Sequence, residues 1–142
     1  MSTTISALES ARAALPAFGD RLIGPDDPRY DEARTLFNAM IDKRPALIAR
    51  CETADDVAAA IRFARAQGLR IAVRGGAHNG AGLASVDDGL VIDLSPMKAV
   101  SVDPGTRTVR VGAGAVWGEV GAATGPHNLA VPTGVISSTG VA

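Results

Sequence analysis

Apolar residues along this chain fall into short runs cut by glycine, proline and charge, and their spacing changes from one run to the next. Ser6–Leu15 is alanine-rich with weak helical periodicity, and Pro28 opens a second helical run expected to end near Met40. Pro45 interrupts it, and Ala46-Leu-Ile-Ala49 follows as a short apolar run that suits a buried strand. Thr53-Ala-Asp-Asp56 is a helix-opening pattern: a hydroxyl accepts from the first turn, and carboxylates favour the positive end of the helix dipole. Val57, Ala60, Ile61 and Ala64 then recur at helical spacing until Gly68 stops the helix. Ile71-Ala-Val73 is the next strand. The strand, helix, strand order implies a parallel pair joined by a right-handed crossover.

Beyond this unit, Leu90-Val-Ile-Asp-Leu94 reads as a strand. Ala99–Val102 and Thr108–Val111 flank the turn Asp103-Pro-Gly-Thr106, which makes them a hairpin. Ala115–Ala123 forms a short helix carrying Trp117, after which GPHNLAVPTG returns to loop and strand character. There is no internal repeat and no low-complexity linker.

Composition narrows the partners. With 142 residues, 46% of them hydrophobic, the chain can build one ordinary core. Fourteen basic against fifteen acidic residues leave a net charge of −1, so no global field favours nucleic acid or an anionic membrane. No apolar stretch reaches the eighteen residues of a spanning helix, and the opening residues lack a basic, then apolar, leader pattern, so a cytoplasmic location is expected. Cys51 is the single cysteine, which excludes an intrachain disulfide and a multi-cysteine metal site; a buried thiol at a strand end is expected.

The chemistry lies in the glycines. Arg74-Gly-Gly-Ala-His-Asn-Gly80 follows a strand directly, at the end of the sheet where ligands usually bind in α/β folds. Glycine there permits left-handed backbone or the close approach of another group. No G-x-x-x-x-G-K-[ST] pattern exists, which excludes a P-loop. Gly112-Ala-Gly114-Ala-Val-Trp-Gly118 imitates a dinucleotide fingerprint, but its third glycine comes one residue late, its strand belongs to a hairpin, and no ribose-binding carboxylate follows at the required distance. What remains is an anion nest made from two separated stretches. The amides of Gly75, Gly76, Ala77 and Asn79, the hydroxyls of Ser137, Ser138 and Thr139, and the charge of Arg74 could hold a pyrophosphate; ordinary tight turns are the alternative.

In order and spacing, RPALIARCETADDVAAAIRFARAQGLRIAVRGGAHNGAGLAS, LVIDLSPMKAVSVDPGTRTVRVGAGAVWGEV and LAVPTGVISSTGVA resemble the FAD-binding, PCMH-type domain of the vanillyl-alcohol oxidase superfamily, in the branch of berberine bridge enzyme and bacterial 6-hydroxy-D-nicotine oxidase. The likeness runs from about Tyr30 to the last residue. It implies an α+β fold: a small parallel βαβ subdomain followed by a mixed or antiparallel sheet, with residues 1–40 as an N-terminal helical extension and 41–142 as an incomplete FAD-binding domain. The remaining part of that domain and a substrate domain are expected outside this sequence, together with any catalytic acid or base. The resemblance further implies FAD as cofactor, held by Arg74, Gly75, Gly76, Ala77, His78, Asn79 and Gly80 in the early loop and by Pro132, Thr133, Gly134, Ser137, Ser138, Thr139 and Gly140 in the late one. His78 takes the place of the residue that commonly bonds the 8α-methyl carbon of the flavin, a role that needs a neutral imidazole. Relatives with a second link carry cysteine where Gly134-Val-Ile-Ser-Ser-Thr-Gly140 has Ile136, so one link is expected. His127 matches a loop position without chemistry and reads as structural. The implied activity of the complete protein is FAD-dependent oxidation of a small organic substrate by hydride transfer to flavin N5, with dioxygen reduced to hydrogen peroxide. A non-catalytic nucleotide-binding or structural remnant that needs a partner is the alternative, and the oligomeric state stays open.

Overall fold

The computed structural model describes residues 6–142. Helix α1 (Ala7–Ala14) opens on Ser6, whose hydroxyl accepts from the Glu9 N–H while the Glu9 carboxylate accepts from the Ser6 N–H. A 3₁₀ segment (Pro16–Arg21) leads into a two-residue strand, β1 (Leu22–Ile23). Helix α2 is only Tyr30–Arg34. The helical pattern that was expected to reach Met40 breaks at Thr35, whose backbone is extended. The reason is tertiary: the Phe37 N–H donates to the Ala77 carbonyl at 3.2 Å, a bond across the molecule that a helical Phe37 could not make.

Strands β2 (Leu47–Arg50), β3 (Ile71–Arg74) and β4 (Leu90–Asp93) are parallel, and β1 adds antiparallel to β2, in the order β1-β2-β4-β3. Thus β2 and β3 share a sheet as expected but do not touch each other, because β4 enters between them. Burial explains the choice. All four residues of β4 are buried, as a strand covered on both faces requires, whereas Ile71 and Val73 of β3 are exposed at the edge.

Helix α3 (Ala54–Ala66) connects β2 to β3. Its cap is the one read from sequence: the Thr53 hydroxyl accepts from the Asp56 N–H at 3.1 Å, and the Asp56 carboxylate accepts in return from the Thr53 N–H. Burial opposes ionisation of Asp56, but the Arg21 guanidinium at 2.6 Å and the backbone donors outweigh it and hold the carboxyl below its ordinary range. Gly68, at φ 66°, turns the chain out of the helix.

One core fills the face between the sheet and helices α1 and α3, with Leu47, Ala49, Leu90 and Ile92 meeting Ala11, Phe18, Ala60 and Phe63. Ile23, Tyr30, Ile48, Ala72 and Val91 form a second core on the opposite face. The segment ahead of residue 41 therefore contributes to both cores and to the sheet. Cys51 is fully buried just past β2, and desolvation pushes its thiol up to about 12.

Strands β5 (Val100–Asp103) and β6 (Thr108–Val111) form the expected hairpin, with the Asp103 carboxylate accepting from the N–H groups of Gly105 and Thr106. Helix α4 (Trp117–Thr124) and a 3₁₀ turn (Gly125–His127) follow, and the residues after them are loop rather than strand apart from a single bridge between Val116 and Gly140. The false fingerprint also finds its use here. A Cβ on Gly112 or Gly114 would fall on the carbonyl of Met97 or of Leu94, so these glycines let the hairpin close against the exit from β4. Among the described residues no helix is long and apolar enough to cross a membrane.

Candidate functional site

The parallel strands end together at Arg50, Arg74 and Asp93. Asp93, with its side chain 2% exposed, accepts from the Arg74 guanidinium at 2.7 Å and from the Ser95 N–H at 3.0 Å, and Arg50 approaches to 3.7 Å. A second donor of Arg74 reaches the Ala33 carbonyl. The guanidinium is therefore spent inside the protein, anchoring the root of the early glycine loop. A buried carboxylate closing an otherwise apolar strand was visible in LVID, but its partner was not, since the two residues are nineteen apart in sequence and adjacent only through strand register.

The early and late glycine stretches meet. A Cβ on Gly76 would strike the backbone of Gly140, one on Gly140 would strike Gly76, and one on Gly75 would strike the carbonyl of Ala142. The group that approaches the early turn is thus the late loop itself. Nor do these glycines adopt left-handed backbone: in this turn it is Ala77 that does so, at φ 59°. Among the described residues the N–H groups of Gly75, Gly76, Ala77, His78 and Asn79 donate to no protein acceptor, and the same holds for Gly134, Ser137, Ser138 and Gly140. The seam where the two loops meet thus carries a set of free main-chain amides, and only Gly75, Gly76 and Gly140 sit too close to a neighbouring backbone to bear a Cβ; free amides are the kind of donor an anionic diphosphate takes.

His78 stands at one end of this seam. Its Nε2 is 3.4 Å from the Ser138 hydroxyl, which ties a residue of each loop together. Its ring is stacked on Phe37, centroids 4.0 Å apart and planes 18° from parallel. Asn79 folds the turn beyond it, its side-chain oxygen accepting from the N–H groups of Ala81 and Leu83, and the Gly80 carbonyl accepts from the Asn38 amide. An open cleft of about 220 Å³ lies alongside, lined by Val73, Ala77, His78, Leu83 and Ala142 among others.

The late loop is held at one end only. The first amides of α4 secure it, Trp117 N–H to the Thr139 carbonyl at 3.0 Å and Gly118 N–H to the Ser137 carbonyl at 2.9 Å. Pro132, Thr133, Gly134, Ser137 and Ser138 are exposed, and Gly134 lies in ordinary contact with the Trp117 indole. Ile136 is also exposed, whereas Cys51 is buried in the α3 core, its N–H donating to the Asp93 carbonyl at 2.8 Å. His127 is exposed at the end of its 3₁₀ turn and makes no side-chain hydrogen bond among the described residues. Phe37, Asn38 and Lys43 were not anticipated. Phe37 and Asn38 lie in the run expected to be helical and Lys43 just beyond it, and nothing in the pattern announces a contact forty residues away.

Comparison with known proteins agrees with this geometry. Residues 45–142 match the FAD binding domain family. The (R)-6-hydroxynicotine oxidase of Paenarthrobacter nicotinovorans is 36% identical over 132 residues, which is 92% of this chain and 29% of that enzyme. The crystal structure of 6-hydroxy-D-nicotine oxidase from Arthrobacter nicotinovorans superposes with a TM-score of 0.82 at 37% identity, covering 84% of this chain and 26% of the other. The BBE-like 1 protein of Physcomitrella patens gives a TM-score of 0.84 at 27% identity over 92% of this chain and 29% of that one. The fold is that of a PCMH-type FAD-binding domain. The chain belongs to the FAD binding domain family of berberine-bridge-enzyme-like flavoproteins, and spans less than a third of the length of these relatives.

Proposed function

We propose that the complete protein is an FAD-dependent oxidase, of which this chain supplies part of the cofactor site. The observation that carries the reading is the seam between the two glycine loops, with its free amides and its histidine. The N–H groups of Gly75, Gly76, Ala77, His78 and Asn79 and those of Ser137, Ser138 and Gly140, with the Ser and Thr139 hydroxyls, would hold the FAD diphosphate. Arg74 acts by fixing the root of the early loop against Asp93, and Gly80, Pro132, Thr133 and Gly134 shape the flanks. His78 is the covalent tether, and Ile136, an alkyl side chain in the late loop, leaves it as the single link. When bound, FAD supplies the acceptor for a hydride from a small organic substrate and the route by which the electrons reach dioxygen as hydrogen peroxide. Residues 1–40 stand as the N-terminal extension to the FAD domain that begins at 41, its described part adding strand β1 and side chains to both cores, and a cytoplasmic location, with neither nucleic acid nor membrane as partner, belongs to the same proposal.

The test is flavin fluorescence on a denaturing gel of the full-length protein, wild type against His78→Ala. A fluorescent wild-type band and a dark variant that still binds FAD before acid treatment are expected. Equal fluorescence in both bands would place the tether elsewhere. Purified wild type without a flavin absorbance band would favour the non-catalytic remnant.

A further inference from the structure

Phe37 is 67% exposed, a large aromatic side chain that contributes little to either core. Its placement is nevertheless well determined. The ring stacks on His78, its own N–H donates to the Ala77 carbonyl at 3.2 Å, and the neighbouring Asn38 amide donates to the Gly80 carbonyl at 3.2 Å. The two carbonyls bracket His78. Further along, the Lys43 ammonium donates to the carbonyls of Gly82 and Ser85, and Ile41 lies against Gly82, where a Cβ would meet its side chain. The strap formed by residues 37–43 therefore follows the turn from Ala77 to Ser85. Ala77 keeps a left-handed backbone that L-residues avoid, and the Phe37 N–H on its carbonyl helps hold it there.

We propose that Phe37 and Asn38 are positioning residues for flavin attachment, a clamp that fixes the plane and direction of the His78 imidazole before the cofactor arrives. The inference rests on His78 being the tether. In that reaction a ring nitrogen of His78 forms a bond to the 8α-methyl carbon. One methyl C–H and the imidazole N–H are lost, and the two hydrogens with their electron pair pass to dioxygen, giving hydrogen peroxide. The protein's contribution to such a step is orientation. The stack with Phe37 removes the ring's rotational freedom on one side, the Ser138 hydroxyl engages its Nε2 edge, and the two bracketing hydrogen bonds fix the backbone that carries it. Because Phe37 is mostly exposed, its removal perturbs the imidazole without opening a cavity in the fold.

The experiment follows covalent attachment in time, after FAD is added to full-length apoprotein, for wild type, Phe37→Leu, Phe37→Tyr and Asn38→Ala. Non-covalent FAD affinity is measured in parallel on each protein in a His78→Ala background. Phe37→Leu and Asn38→Ala are expected to attach flavin about 10-fold more slowly or worse, as misoriented reacting groups do, with unchanged non-covalent affinity. Phe37→Tyr, which keeps the stack, should attach at nearly the wild-type rate. In proton NMR of the apoprotein the His78 ring resonances should lose their ring-current displacement in Phe37→Leu and keep it in Phe37→Tyr. Wild-type attachment rates in both Phe37→Leu and Asn38→Ala would overturn the clamp while leaving the tether standing. A wild type that never acquires covalent flavin would overturn the tether, and the clamp with it.

Discussion

The early and late glycine loops are made of similar residues and held in opposite ways. Arg74–Gly80 is anchored at its root by a buried ion pair, braced along its length by residues 37–43, and folded back by the side chain of Asn79. The stretch from Pro132 to Ser138 is exposed throughout, and the late loop's fixed points come at its end, at Ser137, Ser138, Thr139 and Gly140, where it meets helix α4 and the early loop. The difference assigns them different work. A residue that must bond one atom of a cofactor belongs on the braced loop, where orientation is set in advance. A loop that supplies amides and hydroxyls to a diphosphate can adjust, because several donors share the task. That His78, the proposed tether, lies on the braced side is what this division requires.

The largest effect should come from the root. Asp93→Ala leaves Arg74 buried without its counter-charge, and a loss of about 3–5 kcal/mol is expected in urea unfolding. A smaller loss would mean that Arg74 swings to solvent and that the loop is not anchored there. Gly76→Ala attacks the seam instead. The new Cβ must displace the backbone of Gly140, so a cost of about 1–3 kcal/mol is expected, with FAD retention falling in the full-length protein. Unimpaired FAD binding by this variant would show that the loops need not touch.

Thr53→Ala removes the cap of α3, and Thr53 makes no hydrogen bond to either loop among the described residues. It should cost about 1 kcal/mol and leave flavin content unchanged, which makes it the control for non-specific destabilisation. In the same framework, Cys51 should resist a thiol reagent in the folded chain and react once unfolded. Its raised folded-state pKa adds stability below the ordinary thiol value of 9.0, a contribution lost as pH climbs toward about 12; the unfolding midpoint across that range measures it. The smallest effect belongs to the late loop: Ile136→Ala, at a position 55% exposed, should change stability by no more than about 0.5 kcal/mol. A larger loss would mean that Ile136 is packed and that the late loop is better held than its exposure indicates.

Local chemistry in the sequence was sufficient for much of this. Thr53 and Asp56 cap α3 because hydroxyl, carboxylate and the first-turn amides lie within three residues, and Asp103-Pro-Gly turns the hairpin for the same kind of reason. The two glycine stretches and His78 could be read as a candidate site because their residue types and order single them out, and the fold brings them together. Contacts whose partners are distant in the chain were decided only by the tertiary structure. Residues 35–40 carry a helical pattern, but Phe37 and Asn38 satisfy the Ala77 and Gly80 carbonyls across the molecule instead. The strand order turned on which run could be buried on both faces, a competition between β3 and β4 that neither run settles by itself. Even the glycines of the early turn changed meaning. In sequence they signal freedom at φ or room for a ligand, whereas in the fold the space they keep open is filled by the backbone of the late loop, about sixty residues further along, because two main chains can meet that closely only where neither carries a Cβ.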